Sequence, residues 1–150
     1  SAIEGIVLLN INNWNEQKKY IKSNNKSNAY YTVLHELGHV FGIGTVWTNN
    51  NLLSNDKLWY HGTNALREYK KYFNNENLIA IPIEDNGDES SKYSHPEEGD
   101  GIQRYLNEIL HPGLNEELMT PLAENNNKPE ILSNISIGFL EDIGFQVNYV

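Results

Sequence analysis

The residues with the most definite chemistry are His35, Glu36 and His39, in the stretch Tyr30-Tyr31-Thr32-Val33-Leu34-His35-Glu36-Leu37-Gly38-His39-Val40-Phe41-Gly42. Side chains four apart on a helix share one face, so two histidines in H-E-x-x-H spacing can reach one metal ion. Glu36 projects about 100° further round the helix. It would lie near an open coordination position, where a carboxylate serves as general base on a water. The plainer reading of the same letters is an amphipathic helix with two surface histidines. The apolar Val33, Leu34, Leu37, Val40 and Phe41, with a glycine three residues after His39, favour zinc.

Chemistry at this spacing requires a helix, and the sequence supplies its ends. Ser27 or Asn28 can accept from the first free amides, and Gly42 can take the left-handed conformation that stops the last turn. The five apolar residues predict that the helix is buried and its ligands held rigidly. Elsewhere, Ile3 to Ile11 reads as a buried strand and Thr63 to Phe73 as a helix capped by Thr63 or Asn64. Leu78 to Ile83 reads as a short edge strand, because Pro82 cannot donate to a ladder. Ile102 to Leu110 has the spacing of a short helix, broken by His111-Pro112-Gly113. Ile135 to Ile143 reads as a helix with Ser133 or Ser136 before it and Gly144 after it. The class implied is α+β.

The 150 residues fit one domain over positions 1–150, and neither an internal repeat nor a linker interrupts them. The net charge of −9 argues against a nucleic-acid partner held through phosphates. No apolar run is long enough to cross a membrane. Cysteine is absent, so disulfides and thiolate ligands are excluded and metal binding falls to His, Asp and Glu. The N-terminus shows no signal-peptide pattern and no initiator methionine, as expected of a processed or excised piece. Asp85, Asp88, Glu97, Glu98 and Asp100 lack the alternating spacing of a calcium loop and read as a solvated acidic loop.

A catalytic zinc takes three protein ligands and keeps one position open. In the pattern H-E-x-x-H-x-x-G-x-x-H the third histidine follows at once, but here Thr45 holds that position. His61 reads as an ordinary loop histidine. Glu68 would complete a His2Glu set of the thermolysin kind, although Arg67, Lys70 and Lys71 suit a solvated helix face. His95 and His111 remain.

Three further stretches carry a resemblance. Glu84-Asp85-Asn86-Gly87 leads to Ser94-His95; Glu117-Leu118-Met119-Thr120-Pro121 follows; then comes Ile135-Ser136-Ile137-Gly138-Phe139-Leu140-Glu141-Asp142-Ile143-Gly144. In this order they resemble the leishmanolysin (peptidase M8) family, metzincins in which an insertion separates the glycine from the third histidine. The resemblance covers nearly the whole chain, and its motifs are specific jointly. It implies a metzincin-like zincin fold and one zinc bound by His35, His39 and His95. It implies Glu36 as general base, Met119 as the Met-turn residue beneath the metal, and hydrolysis of protein or peptide substrates. It also favours a secreted or cell-surface location, which the residues themselves do not fix. Two departures stand out. Pro96 replaces the tryptophan usual after the third histidine, and the interval to Met119 is long, implying an insertion around Gly99 to Gly113 that contains His111. Only 34 residues precede His35, so much of the family's N-terminal sheet region is expected to be missing. That keeps a catalytically inactive zinc-binding interaction module open as an alternative.

Overall fold

The computed structural model describes residues 4–87, 92–99, 103–123 and 126–149. Among the described residues, four helices and two small antiparallel sheets form an α+β structure. In chain order they are α1 (Ile11–Lys19), α2 (Asn28–Phe41), β1 (Trp59–Tyr60), α3 (Thr63–Phe73), β2 (Ile81–Pro82), β3 (Arg104–Leu106), β4 (Ile109–His111) and α4 (Asn134–Asp142). β1 pairs with β2, Trp59 opposite Pro82 and Tyr60 opposite Ile81, and β3 pairs with β4.

The ends of α2 follow from its residues. The Ser27 hydroxyl accepts from the Tyr30 amide at 3.2 Å. Gly42, at φ 116°, turns its N–H back to the carbonyls of Gly38 and His39. The helix is less covered than its apolar residues predict: only Ala29 and Tyr31 are fully buried, and Leu37 and Phe41 are exposed. Its partner α1 is a short polar helix with no buried residue, so it shields little of that face.

The main core lies on the other side. Trp47, Tyr60 and Phe139 meet with ring centroids 4.8–4.9 Å apart, joined by Ile43, Leu118 and Met119. α3 packs against α4 at Gly138, where an added Cβ would stand 2.6 Å from the Ala65 Cα. The expected cap at Thr63 or Asn64 is replaced by a remote one. The residue before α3 is Gly62, which has no side chain, and Asp142 accepts from the Asn64 and Ala65 amides at 2.8 and 3.1 Å. The same carboxylate accepts from the Tyr60 hydroxyl at 3.0 Å. Ser133 precedes α4, its hydroxyl accepting from the Ile135 amide, and Gly144 follows with φ 101°.

Three expectations are corrected. The segment 4–10 is not a buried strand: Ile6 and Leu8 are exposed, and Asn10 caps α1, which starts at Ile11. An apolar run forms a strand only where a neighbour completes its ladder, and the described residues provide none. The segment after Gln103 is a hairpin rather than a helix. Asn107 and Glu108 both have positive φ (50° and 64°), the backbone of a tight two-residue hairpin turn. Its apolar residues also fit helical spacing, and Glu at the second turn position disguised the turn. The acidic stretch is not a solvated loop, since Glu84, Glu97 and Glu98 are buried. Ile3, Asp88, Asp100 and Ile102 lie outside the described residues.

Candidate metal centre

Two candidate ligands come from α2 and the third from a strand-like segment held beside it. The Glu84 amide donates to the His95 carbonyl at 3.0 Å, and the Glu97 amide donates to the Pro82 carbonyl at 2.9 Å. Ile83 and Pro96 face each other between these bonds. Residues 95–97 thus extend the edge of β2. On the opposite side, Gly44 lies so close to Ser94 that an added Cβ would stand 2.0 Å from the Ser94 carbonyl oxygen.

This arrangement brings three Nε2 atoms together. His35 and His39 are 3.0 Å apart, His35 and His95 3.2 Å, and His39 and His95 2.9 Å. The other ring nitrogens define the tautomers. Nδ1 of His35 lies 2.7 Å from the Leu118 carbonyl oxygen, and Nδ1 of His39 lies 2.8 Å from that of Ile43. A carbonyl only accepts, so both Nδ1 atoms carry hydrogen and both Nε2 atoms present lone pairs. Burial pushes His35 below its ordinary pKa against the opposing pull of its Leu118 bond, and nearby His39 pushes the same way. The neutral, ligand-ready form is thereby favoured.

Converging lone pairs repel unless a cation lies among them. With Zn–N bonds of about 2.0–2.1 Å, the edges of a tetrahedron are roughly 3.3 Å, close to the three separations. A set of imidazoles without thiolate suits zinc and other divalent transition ions. The residues therefore fit the ion that the resemblance implies.

Glu36 is half-buried and lines both clefts beside the cluster. One, of about 220 Å3, includes His35, Thr32, Leu118 and Thr120; the other, of about 230 Å3, includes His39, Val40, Thr45 and residues 4–7. Met119 is fully buried against α2, where a Cβ on Gly38 would meet its Sδ at 2.5 Å. Thr45 is exposed, and its hydroxyl donates to the His39 carbonyl at 2.9 Å.

The other candidates are held elsewhere. His111 is fully buried, although Pro112 and Gly113 after it are residue types of an exposed turn. Its Nδ1 donates to the Ile109 carbonyl at 2.8 Å, and its Nε2 accepts from the Ile79 amide at 3.1 Å, which leaves no nitrogen for an ion. Glu68 is buried on α3 and accepts from Arg67 and Lys71 at 2.7 and 2.8 Å. A second group, Glu84, Asp85 and Glu97, already has a counter-ion: Arg104 donates to Glu97 at 2.7 Å and to both oxygens of Asp85. Burial raises the Glu97 pKa to about 7 despite the Arg104 bond, with neighbouring Glu84 adding to the rise.

Sequence reading missed one residue of this neighbourhood. Glu117 is buried at the turn that carries Leu118 and Met119, and its carboxylate takes four hydrogen bonds. Nothing local to Glu116-Glu117 marks which of the two points inward.

A third histidine closing on an H-E-x-x-H helix is an arrangement of metal-dependent peptidases as a class. The chain belongs to the leishmanolysin family, peptidase M8, whose family model matches residues 7–150. It is a family of zinc metallopeptidases. No curated protein and no solved structure matches the chain.

Proposed function

We propose that the chain is the zinc-bearing part of a metzincin-type endopeptidase, with His35, His39 and His95 as the ligands and Glu36 as the general base. The observation that carries this reading is the convergence of three Nε2 atoms within 2.9–3.2 Å, two of them oriented by carbonyls. When bound, zinc supplies Lewis acidity that polarises a water and the scissile carbonyl. The Glu36 carboxylate takes the proton of that water and passes it to the leaving amine. Its position between two clefts suits a peptide lying across the site, one part on the His35 side and one on the His39 side. The fully buried Met119 supports the helix from below at Gly38.

A second reading is a zinc-binding module without hydrolysis. Exposed Ile6 and Leu8 favour it, because an unpaired segment beside the cleft offers a substrate no sheet. One experiment separates the readings. Purified chain should carry about one zinc, and Glu36→Gln should keep that zinc while losing casein digestion by roughly 10²–10⁴-fold. Zinc without digestion in the parent selects the inactive module. Failure to take up zinc refutes both.

A further inference from the structure

Glu117 is joined to His35 through a single peptide group. Its Oε2 accepts from the Met119 amide at 2.5 Å. That amide belongs to the same planar unit as the Leu118 carbonyl, which accepts from His35 Nδ1–H at 2.7 Å. The other carboxylate oxygen is anchored at the start of α4. It accepts from the Ser133 amide at 3.2 Å, the Ser133 hydroxyl at 3.0 Å and the Ser136 hydroxyl at 2.7 Å. The Ser133 hydroxyl also accepts from the Ile135 amide, so its own hydrogen is free to be given to Glu117.

Burial pushes the Glu117 carboxyl above its ordinary pKa, against the opposing pull of its bonds from Ser136, Met119 and Ser133; four donors on two oxygens satisfy the ionised form. The positive end of a helix N-terminus supports the same charge. An amide that donates to an anion becomes more polarised, and its carbonyl becomes a stronger acceptor. A stronger acceptor at Nδ1–H orients the imidazole and makes Nε2 more basic towards a metal. His39 offers an internal contrast, since its Nδ1–H donates to the Ile43 carbonyl.

We propose that Glu117 is a positioning residue for the metal centre: acting through the Leu118–Met119 peptide, it holds His35 in orientation and strengthens it as a ligand. This rests on the zinc reading above. A purely structural role would be to tie the turn at 116–118 to the start of α4; the segment leading into α4 is already tied to it in part, because the Leu118 amide donates to the Ile131 carbonyl at 2.8 Å. The two roles differ in what they do to His35 relative to His39.

The test is Glu117→Gln in the full chain, with zinc titration and NMR detection of the two Nδ1–H protons. The neutral amide cannot serve both oxygens' donors, because its NH2 must face either Met119 N–H or the serine cluster. Zinc affinity should fall about 10–100-fold, the usual loss for an outer partner of a ligand. The His35 Nδ1 proton should move to the weaker hydrogen-bond position while that of His39 stays. Unchanged affinity with an unmoved His35 proton overturns the proposal. So does an affinity loss in which both protons move together, since that marks general loosening. If Glu117→Gln does not fold, Ser136→Ala removes one anchoring donor without touching Met119 N–H, and it must displace the His35 proton selectively. A parent chain that takes up no zinc refutes the function proposed above. A parent that does, with variants indistinguishable from it, refutes only this role.

Discussion

Gly44→Ala tests how the third histidine is brought to α2. Gly44 has φ +78°, and a Cβ there would stand 2.0 Å from the Ser94 carbonyl oxygen, 2.8 Å from its carbon and 3.0 Å from its Cα. Comfortable contact needs about 3.5 Å, so the backbone at Ser94 must retreat by more than about 1 Å. These are main-chain atoms, so no rotamer change relieves the contact. His95 is the next residue, and its carbonyl is tied to the Glu84 amide. It must either break that bond or withdraw from His35 and His39. Metal sites tolerate displacements of only about 0.2 Å in ligand distance, so a shift several times larger removes most of the third bond. Zinc affinity should fall by at least 10–100-fold, the loss already caused by disturbing an outer partner. The left-handed backbone adds about 1–2 kcal/mol of strain for alanine. Gly144→Ala supplies the control: φ is +101° and nothing lies within 4 Å of the added Cβ. That variant should lose similar stability and keep the parent's zinc affinity. The assay is competitive zinc titration against a chromophoric chelator, with thermal melts of both apo proteins. A folded Gly44→Ala chain binding zinc as tightly as the parent would refute the reasoning.

His95→Ala should weaken zinc binding by more than about 100-fold, beyond the usual loss for an outer partner. His111→Ala should leave affinity intact and cost about 1–3 kcal/mol, because the Ile79 amide loses its acceptor; the same titration and a urea melt check both. Burial holds the His111 pKa below its ordinary value, against the opposing pull of the Ile109 bond. Its folded pKa therefore lies below the unfolded value of about 6.5, so its contribution is complete above that pH and is lost as pH falls towards the folded value. His111→Gln should make the fall in apo stability below pH 6.5 shallower, by up to about 1.4 kcal/mol per pH unit. Identical slopes in denaturant melts at several pH values would contradict this. Asp142→Ala should cost about 2–4 kcal/mol, combining the lost cap on α3 with a stranded Tyr60 hydroxyl. Zinc affinity should not change, and a melt within error of the parent would show that the cap contributes nothing.

What the sequence determined by itself is what acts over a few residues. Ser27 and Gly42 fix the ends of α2 through local capping, so the i, i+4 placement of His35 and His39 follows from the letters alone. Ser133 and Gly144 bound α4 in the same way. The order of the distal stretches was legible too, because family membership is written along the chain. Features decided by partners distant in sequence were not legible. Residues 4–10 have strand composition, yet a strand exists only beside another strand. The hairpin at Asn107-Glu108 shares its apolar spacing with a helix, and only the paired backbone separates the two. His111 has the flanks of an exposed turn, but the Ile79 amide claims its Nε2 and Trp59 covers its ring. Asp142 caps a helix that begins 79 positions earlier, and Glu117 is gripped by Ser133 and Ser136 on another element. His95 joins His35 and His39 because β2 and Gly44 fix its segment from two sides. Local capping and periodicity select the elements. Which buried polar group meets which is decided only when the chain closes on itself, because a desolvated donor or acceptor must find a partner wherever the fold provides one.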